Sequence, residues 1–119
     1  MIKARFITDK DSQSITLRLT GHAGAADPGQ DIICSSATIL AYTVAQTAKF
    51  MYDEGKLHKK PRIKLDPGEG IITMKPKAES YAEALHTYFV AQVGYSLLAH
   101  NFPEYVTLES FGESEKDCS

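Results

Sequence analysis

Cysteine is scarce in this sequence of 119 residues: there are two, Cys34 and Cys118, far apart and in very different settings. That excludes the disulfide framework of a small secreted domain, and the lack of a Cys-x-x-Cys pair argues against a dithiol exchanger. Long apolar runs are missing as well. The N-terminus, MIKARFITDK, scatters charge where a secretion signal needs an unbroken apolar stretch, and no segment approaches the length that crosses a bilayer. Nor is there a surplus of basic charge. Thirteen Lys and Arg against 15 Asp and Glu give a net charge of −2, which leaves no general basic surface for nucleic acid. The expectation is a cytoplasmic protein whose direct partners are neither nucleic acid nor membrane.

What is present reads as one domain over residues 1–112, with a polar C-terminal tail over 113–119. Ile2 to Thr8, a polar turn from Asp9 to Ser14, and Ile15, Leu17 and Leu19 alternating with polar residues predict a β-hairpin. The stretch GHAGAADPGQ interrupts regular structure through its glycines and proline. Asp31 is placed to cap a helix in which Ile33, Ala37, Leu40, Val44, Ala48 and Met51 recur at helical spacing, ending at Gly55. Arg62 to Leu65 and Ile71 to Lys75 predict a second hairpin around Asp66-Pro67-Gly68-Glu69-Gly70. A second helix runs from about Glu79 to about His100, with Tyr81, Leu85, Phe89 and Val93 on its apolar stripe. A looser strand from Tyr105 to Phe111 completes a ββαββαβ order, a coarse repeat of ββα units without residue-level identity. Helices that follow antiparallel hairpins imply a two-layer α+β sandwich with one sheet face covered.

The segment with chemistry in it is Gly21 to Ser36, GHAGAADPGQDIICSS. A cysteine attacks carbonyls as a thiolate, and the positive end of a helix dipole favours that form. Cys34, about three residues past Asp31, is therefore the candidate nucleophile, and nearby unpaired helix amides could receive an oxyanion. Successive helical positions place it off the stripe of Ile33, Leu40, Val44 and Met51, on a flank with Thr38, Ala41 and Ala45. His22 is the candidate base, since it ends a strand that must return to the start of the helix. Asp31 either caps the helix or orients His22. Gly21, Ala23, Gly24, Gly29, Ser35 and Thr38 are candidate loop or substrate-contact positions, against the plainer reading of a surface connection and helix flank. Lys56, His58, Lys59 and Lys60 read as a solvated basic cluster, and Cys118 as an incidental thiol that alkylates more slowly than an activated Cys34.

Other chemistries fit less well. A cysteine phosphatase needs an arginine soon after its nucleophile, whereas Cys34 is followed by SSATILAYT. Zinc held by His22 and Cys34 would need two further ligands, with Asp27 and Asp31 the near candidates and a carboxylate set unusual for a structural site. A non-catalytic dimeric assembly domain, with His22 and Cys34 only shaping a groove, is the main alternative to an enzyme.

At GHAG (Gly21 to Gly24) and GQDIICSS (Gly29 to Ser36) the sequence resembles the ribosomal-processing cysteine protease family Prp. The resemblance implies a protease that removes an N-terminal extension from a large-subunit ribosomal protein, the twenty-seventh of its series. It places the family nucleophile on Cys34, the family histidine on His22, and the aspartate of the motif on Asp31. It also implies a homodimer, a flexible loop over residues 23–30, and no metal or organic cofactor.

Overall fold

In the computed structural model, which describes residues 1–22 and 28–113, five strands form one sheet with two helices against one of its faces. The chain order is β1 (Ile2–Asp9), β2 (Ser14–Thr20), α1 (Pro28–Asp53), β3 (Arg62–Asp66), β4 (Glu69–Met74), α2 (Tyr81–Asn101) and β5 (Val106–Glu113). This is the expected ββαββαβ sandwich. The strands lie in the order β3-β4-β2-β1-β5, antiparallel except that β5 runs parallel to β1 after a crossover through α2.

Period-two patterning sets which side of the sheet meets the helices. Ile2, Ala4 and Phe6 of β1 and Ile15 and Leu17 of β2 are buried, while Lys3, Arg5 and Arg18 face away. On that other face, Arg5 pairs with Glu109 at 2.7 Å and Thr16 meets Thr73 at 2.9 Å. Alanines at 37, 41, 45 and 48 let α1 lie close to the sheet, with Ile33, Val44 and Met51 filling the space between them. The α1–α2 seam is equally tight at Gly94, where a Cβ would fall 2.7 Å from the Leu40 side chain.

The structure corrects four details of the sequence reading. The buried face of α2 carries Ala84, Tyr88, Ala91 and Tyr95, whereas Phe89 and Val93 of the expected stripe are 47% and 45% exposed. The cause is tyrosine chemistry: Tyr88 donates its hydroxyl to the Ile72 carbonyl at 2.9 Å and Tyr95 to that of Ala37 at 2.7 Å. Such partners let phenols occupy the core while wholly apolar residues face out. The second correction is the start of α1 at Pro28, a residue suited to a first helical position. Asp31 thus lies inside the first turn and is not the residue that begins the helix. Third, Ala41 and Ala45 are core residues and not an open flank. Fourth, the second hairpin turns more tightly than expected, with Asp66 paired to Glu69 across Pro67 and Gly68.

The expected stop at Gly55 holds. Gly55, at φ 76°, donates to Tyr52 O and Lys56 donates to Met51 O, the paired bonds of a Schellman ending. Lys56, read as part of a solvated cluster, reaches Glu54 at 3.0 Å and Glu83 at 2.9 Å and ties the end of α1 to the start of α2. The loop centre over 23–27 and residues 114–119 of the polar tail lie outside the described residues.

Candidate active site

β2 ends in a turn that only glycine can make here. Gly21 has φ 92°, and a Cβ on it would fall 2.0 Å from the Met1 carbonyl oxygen. The turn is held from two sides: the Gly21 amide donates to the Gly68 carbonyl at 2.9 Å, and the Met1 amino group donates to the His22 carbonyl. The His22 backbone is thus fixed between the start of β1 and the β3–β4 turn. Its ring rests on that turn, since a Cβ at Gly68 would be 2.7 Å from Nε2 and 3.1 Å from Cε1.

Cys34 approaches from α1. It is half-buried, packs against the edge of the core, and its thiol is free. His22 and Cys34 line the same cleft of about 330 Å³, together with Gly21 from the end of β2, Thr38 and Tyr42 from α1, and residues 66–70 of the second hairpin. The pair expected from sequence is therefore brought together, and Thr38 and Gly21 join it. Ser35 is exposed and outside this lining. Gly29 and Asp31 belong to the first turn of α1; Ala23 and Gly24 lie outside the described residues.

The early start of α1 relocates the amides available to an oxyanion. An α-helix leaves its cap and first three helical N–H groups without helical partners, and inside α1 these positions are 28–30, of which Pro28 has no N–H. Cys34 is the seventh helical residue, so its own amide lies within the ladder. The first-turn amides and the thiol are consequently on successive turns of one helix.

The sequence reading missed the hairpin wall. Residues 66–70 looked like a solvent turn, yet the turn supports His22 and closes one side of the cleft. Its carboxylates have cationic neighbours: Glu69 is 3.5 Å from Lys64 and 3.8 Å from Arg18, and Asp66 is 3.9 Å from Lys64. Among the described residues, no carboxylate hydrogen-bonds the His22 ring, and no cluster of three His, Cys, Asp or Glu could hold a metal ion. His58, His86 and His100 are outside the cleft lining, His86 stacking on Phe89 at 6.2 Å.

Solved structures share this architecture. SMU.848 from Streptococcus mutans superposes with a TM-score of 0.66 at 24% identity, covering 93% of this chain and 94% of its own. The ribosomal processing protease Prp from S. aureus, in complex with a substrate peptide, gives 0.65 at 17% identity, covering 92% and 99%. The same S. aureus protease with a covalently linked product peptide gives 0.64 at 18%, with the same coverage. No curated protein sequence is significantly similar to the chain. The family model for cysteine protease Prp matches residues 1–107, and the chain belongs to that family of cysteine proteases.

Proposed function

We propose that this protease removes the N-terminal extension of a large-subunit ribosomal protein, the twenty-seventh of its series, with Cys34 as nucleophile and His22 as base. The observation that carries this reading is the convergence of the two side chains on one cleft whose walls come from α1 and the β3–β4 turn. The S. aureus relative, a ribosomal processing protease solved with a substrate peptide and with a covalently linked product peptide, supports the substrate class and a covalent route.

The chemistry follows from the two groups. His22 takes the Cys34 proton as Sγ adds to the scissile carbonyl, whose oxygen becomes an oxyanion. Collapse of the adduct breaks the C–N bond as the imidazolium returns its proton to the leaving amine, giving a thioester. Water then attacks the thioester with His22 again as base, which frees the acid product and regenerates the thiol. Thr38 and Tyr42 line the cleft from the same helix and carry hydroxyls suited to substrate backbone.

The proposal extends to setting and assembly. Ribosomal protein maturation places the enzyme in the cytoplasm, and the described residues contain no helix long and apolar enough to cross a membrane. Val90, Val93 and Leu97 form an exposed apolar stripe on α2, at a spacing suited to pairing with a second copy in a homodimer.

The test is incubation of wild type and Cys34→Ala with the matching extended ribosomal protein, followed by intact-mass analysis. Loss of the N-terminal segment with wild type alone is expected. Binding without cleavage by either protein would favour an assembly role.

A further inference from the structure

A second groove continues from the Cys34 cleft. It has a volume of about 580 Å³ and runs between α1 and β3, with Ile39, Tyr42 and Phe50 on one wall and Ile63 and Leu65 on the other. Tyr42 and Leu65 line both the groove and the cleft, so the two adjoin at these residues. The lining is mostly apolar, with Thr43, Gln46 and Thr47 between the apolar side chains; among the described residues no carboxylate lines it, and Lys49 is its charged residue. Ile39 and Phe50 are 60% and 58% exposed.

The second wall is also an open sheet edge. β3 is the outermost strand, paired with β4 on one side, so a row of backbone N–H and C=O groups on its other side lacks a sheet partner among the described residues. Ile63 and Leu65 direct their side chains toward the helix layer while Arg62, Lys64 and Asp66 are exposed. An extended peptide is the occupant that satisfies both halves of such a groove, bonding to the edge through its backbone and placing alternate side chains in the apolar trough.

We infer that this groove holds the substrate on one side of the scissile bond, as an added strand along β3 carrying apolar side chains and no basic residue in the trough. The inference rests on Cys34 marking the scissile bond. Phe50 lies sixteen residues beyond Cys34 on α1, about 24 Å at the helical rise. That length corresponds to about seven residues of extended chain. β3 runs toward the cleft as α1 runs away from it, and its five residues offer about 17 Å of open edge along that wall.

The experiment is binding of a fluorescently labelled peptide spanning the processed junction to the Cys34→Ala protein, followed by anisotropy. Adding Phe50→Asp or Ile39→Asp is expected to weaken binding about tenfold or more, with Phe50→Leu close to the parent. Trimming the peptide below about seven residues on one side of the junction, and on that side only, is expected to cause a similar loss. Unchanged affinity in Phe50→Asp overturns the inference. So does a change of oligomeric state in Phe50→Asp seen by sedimentation, which would assign the groove to a second copy. Cleavage of the same peptide by wild type reads the catalytic proposal separately: groove-dependent binding without cleavage would refute that proposal and overturn the placing of the scissile bond, while loss of cleavage without loss of binding in the groove variants would overturn the groove alone.

Discussion

The aromatic centre of the sandwich and the cleft at the start of α1 are built on opposite plans. In the centre, Phe6 lies 5.4 Å from Phe111, 5.9 Å from Tyr95 and 6.5 Å from Tyr88, and each tyrosine is fully buried with its hydroxyl on a backbone carbonyl. The cleft has half-exposed groups, a left-handed glycine on each side of His22, and walls from a turn and a helix end. One region resists motion through close packing; the other presents polar groups to a guest. They are linked at one point, because the carbonyl that receives the Tyr95 hydroxyl belongs to Ala37, which lines the cleft one turn beyond Cys34.

The comparison is sharpest if activity and stability can be lost independently. Cys34→Ala is expected to lower kcat/KM by about 10⁴-fold, a barrier increase of about 5 kcal/mol, because the reaction loses its proposed nucleophile. The same variant should melt within about 3 °C of wild type, since little packing is removed. Phe6→Ala inverts the pattern. Emptying a site 1% exposed should destabilise by about 3–5 kcal/mol in urea titration, while the fraction that stays folded keeps its turnover number. A large loss of stability in Cys34→Ala would show that the two regions are not separable.

Alkaline pH tests the centre alone. Burial pushes the hydroxyl pKa values of both Tyr88 and Tyr95 well above their ordinary value. A raised folded-state pKa means that the unfolded chain releases its tyrosine protons first, from about pH 10. The stability these groups contribute is therefore fully present below about pH 10 and falls as pH rises, by about 1.4 kcal/mol per unit for each tyrosine. The double variant Tyr88→Phe, Tyr95→Phe should flatten that decline while costing about 1 kcal/mol per lost hydrogen bond at neutral pH. An equally steep decline in the double variant would place the alkaline sensitivity elsewhere.

The two regions also differ in how far the sequence discloses them. Strand faces follow from period-two alternation and the inner face of α1 from helical spacing, and Ile15, Leu17 and Val44 lie where those patterns put them. Tyr88 and Tyr95 do not, because hydropathy ranks a phenol below Phe89 or Val93 and says nothing of carbonyls from β4 and α1 that complete its hydrogen bonding. In the cleft, His22 and Cys34 were legible because their chemistry is local to one motif. The hairpin wall was not, since its part in the site depends on β4 pairing with β2, which brings residues more than forty positions away against His22. The sign of it in the sequence was a second glycine turn, Pro67-Gly68, with no local demand beyond closing a hairpin. Likewise, Asp31 looked like a cap because aspartates favour that position, whereas Pro28 opens the helix three residues earlier.

The smallest expected effect tests whether that wall positions His22, the proposed base, or only encloses it. Gly68 has φ 83°, so Gly68→Ala should cost about 1 kcal/mol from backbone strain. Its new methyl would also arrive 2.7 Å from His22 Nε2, at the movable end of a side chain, so the ring must tilt away. A base displaced from its proton by a fraction of an ångström should lower kcat about tenfold, with KM little changed because the groove and the α1 wall are intact. Gly55→Ala supplies the matched control, being left-handed at φ 76° with nothing within 4 Å of an added Cβ. It should show the same strain in melting without the loss of turnover. If both variants keep wild-type kcat, His22 takes its position from the Gly21 turn alone; if only Gly68→Ala loses it, the second hairpin is part of the catalytic apparatus as well as its boundary.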